Sequence, residues 1–229
     1  MDMRIYGKGN IPAGNYDKVV VRGKGFLYGK INCLTFSSSG GIKGESIECK
    51  EHFKTSGRAL FLDNIMAKNV RVSGFFSCDG DVVVKERFSC SGTTKCKKNI
   101  KCDDLAIFGS LHVGDGIESE NVNISGVLKC DRLVNANNVR IIADRLISIG
   151  SISGCNIVLK RKKFSVVLSR RINVLNAIEG DNLFLEYVTC PSVIGRVVNI
   201  GKGCKIDVVR YKEEINISTK AVVGKIEKI

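Results

Sequence analysis

The sequence predicts an all-β fold, specifically a single-stranded, right-handed parallel β-helix (β-solenoid) with three short strands in each coil of about 17–18 residues. The first observation behind this prediction is a motif, apolar-x-apolar-x-Gly, that recurs along the chain. Its clearest copies begin at Val19, Phe53, Val70, Phe88, Leu105 and Val122. From Phe53 onwards, successive copies are 17 or 18 residues apart. A fixed period of this kind is typical of a stack of similar units, each contacting mainly its neighbours.

The second observation is that each period holds two further apolar pairs, at positions i and i+2. Examples are Phe76-Cys78, Leu111-Val113 and Leu128-Cys130 in one column, and Ile47-Cys49, Val82-Val84 and Ile100-Cys102 in the other. Alternation with a period of two residues indicates β-strands, and helical i, i+3, i+4 spacing is absent. The recurrent glycine is expected at a corner, where the chain bends sharply or adopts a positive φ. Right-handed winding is expected because paired inward positions suit flat faces.

The third observation is compositional. The 229 residues include two prolines, which suits a fold whose central strands need their amide donors. Six of the ten cysteines fall on the inward columns: Cys49, Cys78, Cys90, Cys96, Cys102 and Cys130. Without a Cys-x-x-Cys motif, these are predicted to be small buried side chains in a reducing compartment, with neither disulfides nor a metal site. We find no signal peptide or long apolar run, so we expect a cytoplasmic protein, with membrane association left open.

The pattern divides the chain into four parts. Residues 1–15 lack the period and are expected to be a flexible N-terminal leader, whereas residues 16–159 form the regular β-solenoid. Residues 160–177 interrupt the repeat and are expected to be a basic loop or an expanded coil. Residues 178–229 resume strand-like alternation and are predicted to form C-terminal coils.

Charge is concentrated in that interruption. The chain has a formal net charge of +13, and one segment gathers cations without an intervening acid: Lys160, Arg161, Lys162, Lys163, Arg170 and Arg171. A solvated loop is the favoured interpretation, and docking on an anionic membrane surface is the functional one. Regular aromatic interleaving and nucleic-acid motifs are lacking, so a nucleic-acid partner is not expected.

No convergent catalytic constellation is evident, so the sequence does not indicate an enzyme. His52 and His112 adjoin inward residues and are expected to point outwards. Between Gly25 and Gly29 lie three residues where a phosphate-binding loop needs four, so neither a nucleotide cofactor nor a small-molecule substrate is expected. The enzymatic alternative is a left-handed β-helix acyltransferase, for which His112 would be the available base.

The chain resembles the bactofilins, the polymer-forming cytoskeletal proteins of bacteria, and is most similar to their longer Gram-positive type. The resemblance is carried by the repeats VVVRGKGFLYGKINCLTF, VRVSGFFSCDGDVVVKE and VNISGVLKCDRLVNANN, and by the C-terminal block IEGDNLFLEYVTCPSVIGRVVNIGKGCKIDVVRY. It implies a right-handed β-helix that polymerises into filaments without nucleotide, often near the membrane. The implied partners are further copies of the chain or other bactofilins.

Assembly is also expected from the fold itself. The last coil of a β-solenoid exposes unpaired backbone groups and an open apolar cross-section, which templates further pairing. Two such ends make non-closing contacts, and these generate filaments. The predicted contacts are Val19, Val21, Phe26 and Leu27 at the N-terminal end, and Ile215, Ile217 and Val222 at the C-terminal end. The alternative is a scaffold that does not polymerise and docks on anionic surfaces through its basic segment.

Overall fold

The computed structural model describes residues 1–162 and 172–229, which form two compact units, Met1–Gly114 and Asp115–Ile229. The described part of the chain contains strands and no helix. The strands of the first unit are β1 (Met3–Ile11), β2 (Gly14–Ser38), β3 (Gly41–Thr55), β4 (Arg58–Phe61), β5 (Ile65–Val72), β6 (Phe75–Cys78), β7 (Val82–Val84), β8 (Arg87–Cys90), β9 (Thr93–Cys96), β10 (Ile100–Ile107) and β11 (Ser110–Val113). Those of the second are β12 (Ile117–Arg161), β13 (Ile172–Val174), β14 (Ala177–Leu185), β15 (Val188–Ile200), β16 (Lys205–Ile217) and β17 (Val222–Lys228).

Each strand pairs in parallel with the equivalent strand one coil away. Phe76 of β6, for example, lies in register with Ala59 of β4 on one side and with Thr94 of β9 on the other. In the second unit, β15 lies between β14 and β16 in the same way. Single coils resolve into three segments, such as β6, β7 and β8. The parallel β-solenoid is therefore confirmed for both units, and right-handed winding stays a prediction.

The core is a thin column of alternate side chains. Within β7, Val82 and Val84 are buried, whereas Val83 between them is half-buried. The largest side chains in the first unit's core are five fully buried phenylalanines, Phe36, Phe53, Phe61, Phe76 and Phe88. Phe36 and Phe53 stack with ring centroids 5.0 Å apart, and Phe53 meets Phe61 edge-on at 5.8 Å. Aromatic side chains bury large apolar areas and so dominate the energetics of such a core.

The recurrent glycine lies at a corner where successive coils nearly touch. A Cβ atom on Gly40 would stand 1.8 Å from the carbonyl oxygen of Gly23, and one on Gly57 would stand 1.9 Å from that of Gly40. Of Gly23, Gly40 and Gly57, only Gly23 has a positive φ, at 131°. The reason for glycine at this corner is therefore close backbone approach, which no side chain permits.

The expectation of a flexible leader over residues 1–15 is wrong. Strand β1 pairs in parallel with β2, so that Ile5 lies over Val21 and Ile11 over Leu27. Ile5 and Ile11 are 8% and 0% exposed, and they extend the apolar column by one coil. Burial of these two side chains and the parallel ladder to β2 together stabilise the ordered segment.

The interruption at 160–177 is partly built into the second unit. Strand β13 lies within it and pairs with Ile147–Ile149 of β12. Asn156 and Asn182 form a cross-coil hydrogen bond over 26 residues, compared with 18 for the preceding pair, Asn138 and Asn156. The choice between a basic loop and an expanded coil stays a prediction. Lys163, Arg170 and Arg171 lie outside the described residues.

The cysteines follow the alternation of the strands. All six that were assigned to inward columns are buried, and all ten are free thiols. Cys155 alone is exposed. Burial raises the pKa of the Cys78 thiol to about 12 and the pKa values of Cys130 and Cys190 to about 11. These thiols are inert for two reasons. Reagents reach the buried sulfur atoms poorly, and the raised pKa keeps the thiols protonated, whereas the thiolate is the reactive form.

We expect iodoacetamide to label one thiol per native chain, Cys155, at pH 8. Raising the pH to 9.5 should still leave Cys78 and Cys130 unlabelled, because their raised pKa values keep them protonated there. Denaturation should expose all ten. Intact-mass spectrometry checks this, and the variant Cys155→Ser, which should take up no label while folded, is the control. Rapid labelling of several thiols in the native chain would contradict the buried column.

Candidate functional site

The C-terminal coil of the second unit exposes the apolar column. Ile217 of β16 is 36% exposed, although its ladder partner one coil earlier, Ile200, is 2% exposed. Ile226 of β17 is 50% exposed, whereas its partner Val209 is fully buried. Ile215 is half-buried in the same layer. The side chains that continue the core are therefore open to solvent at this face, which we call the C-terminal face (Ile215, Ile217, Val223 and Ile226).

Val222, which the sequence analysis places in this contact, belongs to the opposite side of its strand. It pairs with Lys205, an exposed outward residue, and is itself 63% exposed. Val223 pairs with the buried Ile206 and takes the inward position. The assignment of Val222 to the apolar cross-section is therefore wrong by one residue. A one-residue shift along a strand moves a side chain to the other face.

The residues predicted to form the N-terminal contact lie one coil further into the first unit than its N-terminal edge. Val19, Val21 and Leu27 are buried, and Phe26 is half-buried. Strand β1 covers all four, because Met3–Ile11 lies in register with residues 19–27. These residues are core and not a terminal surface. The N-terminal edge of the first unit is β1, whose inward Ile5 and Ile11 are themselves buried. It presents much less open apolar surface than the C-terminal face does.

Two cations of the basic segment lie on aromatic rings. The Nζ atom of Lys160 is 4.2 Å from the ring centroid of Phe184, and the Cζ atom of Arg161 is 4.0 Å from that of Tyr187. Such cation–π contacts hold the two side chains, which are half-buried, against the coil. Lys162 is exposed. The repeat does not reveal this pairing, because the rings lie downstream of the long interval, where the 17-residue period fails.

The histidines point outwards, as the alternation predicts. His112 is flanked by Leu111 and Val113, both fully buried, and it lies in register with Lys95 of the neighbouring coil. His52 is exposed. Across residues 1–162 and 172–229, no three His, Cys, Asp or Glu side chains are placed to hold a metal ion. Within the same ranges no helix is long and apolar enough to cross a membrane.

Comparisons with known proteins add no support to the resemblance to bactofilins, which depends on the repeats and the C-terminal block quoted above. The chain matches no protein-family model, no curated protein and no solved structure.

Proposed function

We propose that this chain is a structural, bactofilin-like protein that assembles end-to-end through its terminal coils without a nucleotide. The β-solenoid architecture is compatible with a structural or scaffolding role. A location near the membrane, with the basic segment facing anionic lipid, belongs to the same proposal.

The single observation that carries the proposal is the C-terminal face. Full burial of a fully exposed isoleucine side chain contributes about 1.5–3 kcal/mol, and this face leaves Ile217 36% and Ile226 50% exposed, so a contact gains part of that energy from each. The backbone of β17 adds directional pairing, because β16 occupies one of its edges. A second β-solenoid coil laid on this face would continue both the hydrogen-bonded ladder and the apolar column. Each copy added in this manner presents a fresh edge, so the contact propagates.

Assembly should fail when a charge is placed in this cross-section. We expect Ile226→Arg to abolish filaments, because an unpaired guanidinium in an apolar contact costs several kcal/mol. Val222→Arg is the matched control, since it puts the same side chain on the same strand but on the outer side. The measurements are negative-stain microscopy and sedimentation velocity without nucleotide, with circular dichroism to verify the fold.

Three outcomes would contradict the proposal. The first is a wild-type chain that stays monomeric at high concentration. The second is an Ile226→Arg variant that still forms filaments. The third is assembly that requires added ATP or GTP.

A further inference from the structure

Two adjoining hollows lie on the outer surface of the first unit. Their volumes are about 460 Å³ and about 200 Å³, and they share Lys54 and Arg71. The charged or hydroxyl-bearing residues that line them include His52, Lys54, Ser56, Arg71, Ser73 and Arg87. We call this surface the basic groove. It lies wholly within Met1–Gly114 and does not depend on the proposed assembly.

The solenoid register brings these cations together from distant parts of the sequence. Lys54 of β3 lies directly opposite Arg71 of β5. His52 lies opposite Asn69, which in turn adjoins Arg87 at the start of β8. Equivalent positions in neighbouring parallel strands are about 4.8 Å apart. The groove therefore holds Lys54 and Arg71 side by side on two coils, with Arg87 on the third coil, two residues before the position opposite Arg71.

Within residues 1–162 and 172–229, the side chains of Lys54, Arg71 and Arg87 make no ion pair. Elsewhere the same register pairs opposite charges across coils, as in Lys30 with Glu48 at 2.7 Å and Lys97 with Asp79 at 2.6 Å. No acidic side chain lines either hollow. The carboxylate of Glu86, near His52, is bonded instead by Lys68 and by the amide of Asn69.

Like charges directly opposite each other on a sheet are destabilising. Lys54 and Arg71 form such a pair, and neither makes an ion pair within the part of the chain that the structure describes. An anion placed between them would convert repulsion into two charge-assisted contacts. The arrangement therefore favours a ligand that brings negative charge into the groove.

Hydroxyl groups complete the groove with neutral donors. The Ser56 hydroxyl lies 3.4 Å from the carbonyl oxygen of Ser38, and the Ser73 hydroxyl 3.5 Å from that of Thr55. These are long hydrogen bonds, so the hydroxyls are readily redirected to a better acceptor. Guanidinium, ammonium and hydroxyl donors around one recess are the groups that recognise phosphate oxygens.

We propose that the basic groove binds a linear polyphosphate chain. The ligand is a chain and not a single ion, because the cations continue from one hollow into the next. A base-bearing strand is disfavoured, since Phe53 is fully buried and, among the residues that line the hollows, only the His52 ring is left for a base to stack on. A lipid surface is disfavoured because the residues lining the hollows include no exposed apolar side chain to enter a bilayer.

The test uses the full chain and fluorescently labelled inorganic polyphosphate, with binding followed by anisotropy at several salt concentrations. The variant Lys54→Ser/Arg71→Ser continues the serines found at positions 37 and 89 of the same column. We expect it to weaken binding by about tenfold or more. Lys8→Ser/Lys24→Ser is the matched control: it removes another directly opposed pair of cations, outside the hollows, and should weaken binding less than about twofold.

Parallel arms separate the possible sources of phosphate. Orthophosphate at equal phosphorus concentration should not compete, and a single-stranded oligonucleotide with the same number of phosphates should bind more weakly than polyphosphate. Equal loss of binding in the two double variants would overturn the proposal, because it would show attraction to net charge alone. Tighter binding of the oligonucleotide or of anionic vesicles, if lost in Lys54→Ser/Arg71→Ser, would overturn it in favour of those ligands.

Discussion

Gly40→Ala should lower the free energy of unfolding by about 4 kcal/mol or more, or prevent folding altogether. The added Cβ would stand 1.8 Å from the backbone carbonyl oxygen of Gly23. Neither atom can rotate away, because the Cβ is attached directly to the backbone and the oxygen belongs to it. Neither coil is able to move away without breaking the parallel ladder that joins Lys24 to Gly41. Urea unfolding followed by circular dichroism measures the effect, since the chain has no tryptophan.

The adjacent glycine provides the control. A Cβ on Gly41 meets nothing nearer than the Lys24 Cγ, at 4.0 Å, and its φ lies outside the left-handed region. Gly41→Ala should therefore be neutral or stabilise by about 0.4–1 kcal/mol through the unfolded chain. Equal behaviour of the two alanine variants would show that close approach of the coils does not explain the repeated glycine.

Phe53→Ala should lower the free energy of unfolding by about 3–5 kcal/mol. Phe53 is fully buried and meets three other phenylalanine rings, stacked on Phe36 at 5.0 Å and edge-on to Phe61 and Phe76 at 5.8 and 6.1 Å. A thin core has few other side chains with which to fill the resulting cavity. The same denaturation experiment measures the loss.

Phe108→Ala is the control for that variant, because it deletes the same ring where the side chain is 66% exposed. Its effect should stay within about 0.5 kcal/mol. If the two phenylalanine variants were equally stable, the stack of rings would not be the main source of the first unit's stability.

The strand architecture is readable from the sequence because one signal recurs many times. Over most of the chain each inward pair repeats at 17 or 18 residues, as strands stacked in parallel and in register would, so errors at single positions average out. The inward cysteines follow from the same signal. Cys78 and Cys96, for instance, are in register in neighbouring strands. Periodicity does not distinguish a corner that needs positive φ from one that needs close approach, because glycine meets both demands.

The terminal coils show where this reasoning fails. Residues 5–11 repeat the pattern of residues 21–27, with Gly-Lys-Gly between two apolar side chains, but 16 residues earlier. That shorter step concealed β1, and the predicted N-terminal contact was consequently placed on buried core. Val222 was misplaced for a different reason. Two adjacent valines satisfy the alternation equally well, and only the pairing of Val223 with Ile206 decides between them.

Surface properties were the least predictable. Lys54, Arg71 and Arg87 are scattered along the sequence, and each alone is typical of a solvated strand face. They form a basic groove only after the register has placed them on neighbouring coils. The rings of Phe184 and Tyr187 beneath Lys160 and Arg161 were hidden in the same way.

The 26-residue separation between Asn156 and Asn182 bears on how the solenoid tolerates changes in length. Immediately after these two asparagines, the strands pair in register again, with Ile157 opposite Leu183 and Leu159 opposite Leu185. Each turn therefore takes its alignment from the turn beneath it and not from a fixed count along the polypeptide. A foreign peptide, such as an epitope tag or a fluorescent domain, is best inserted into this interval, because the strands that follow it pair in register despite the longer separation.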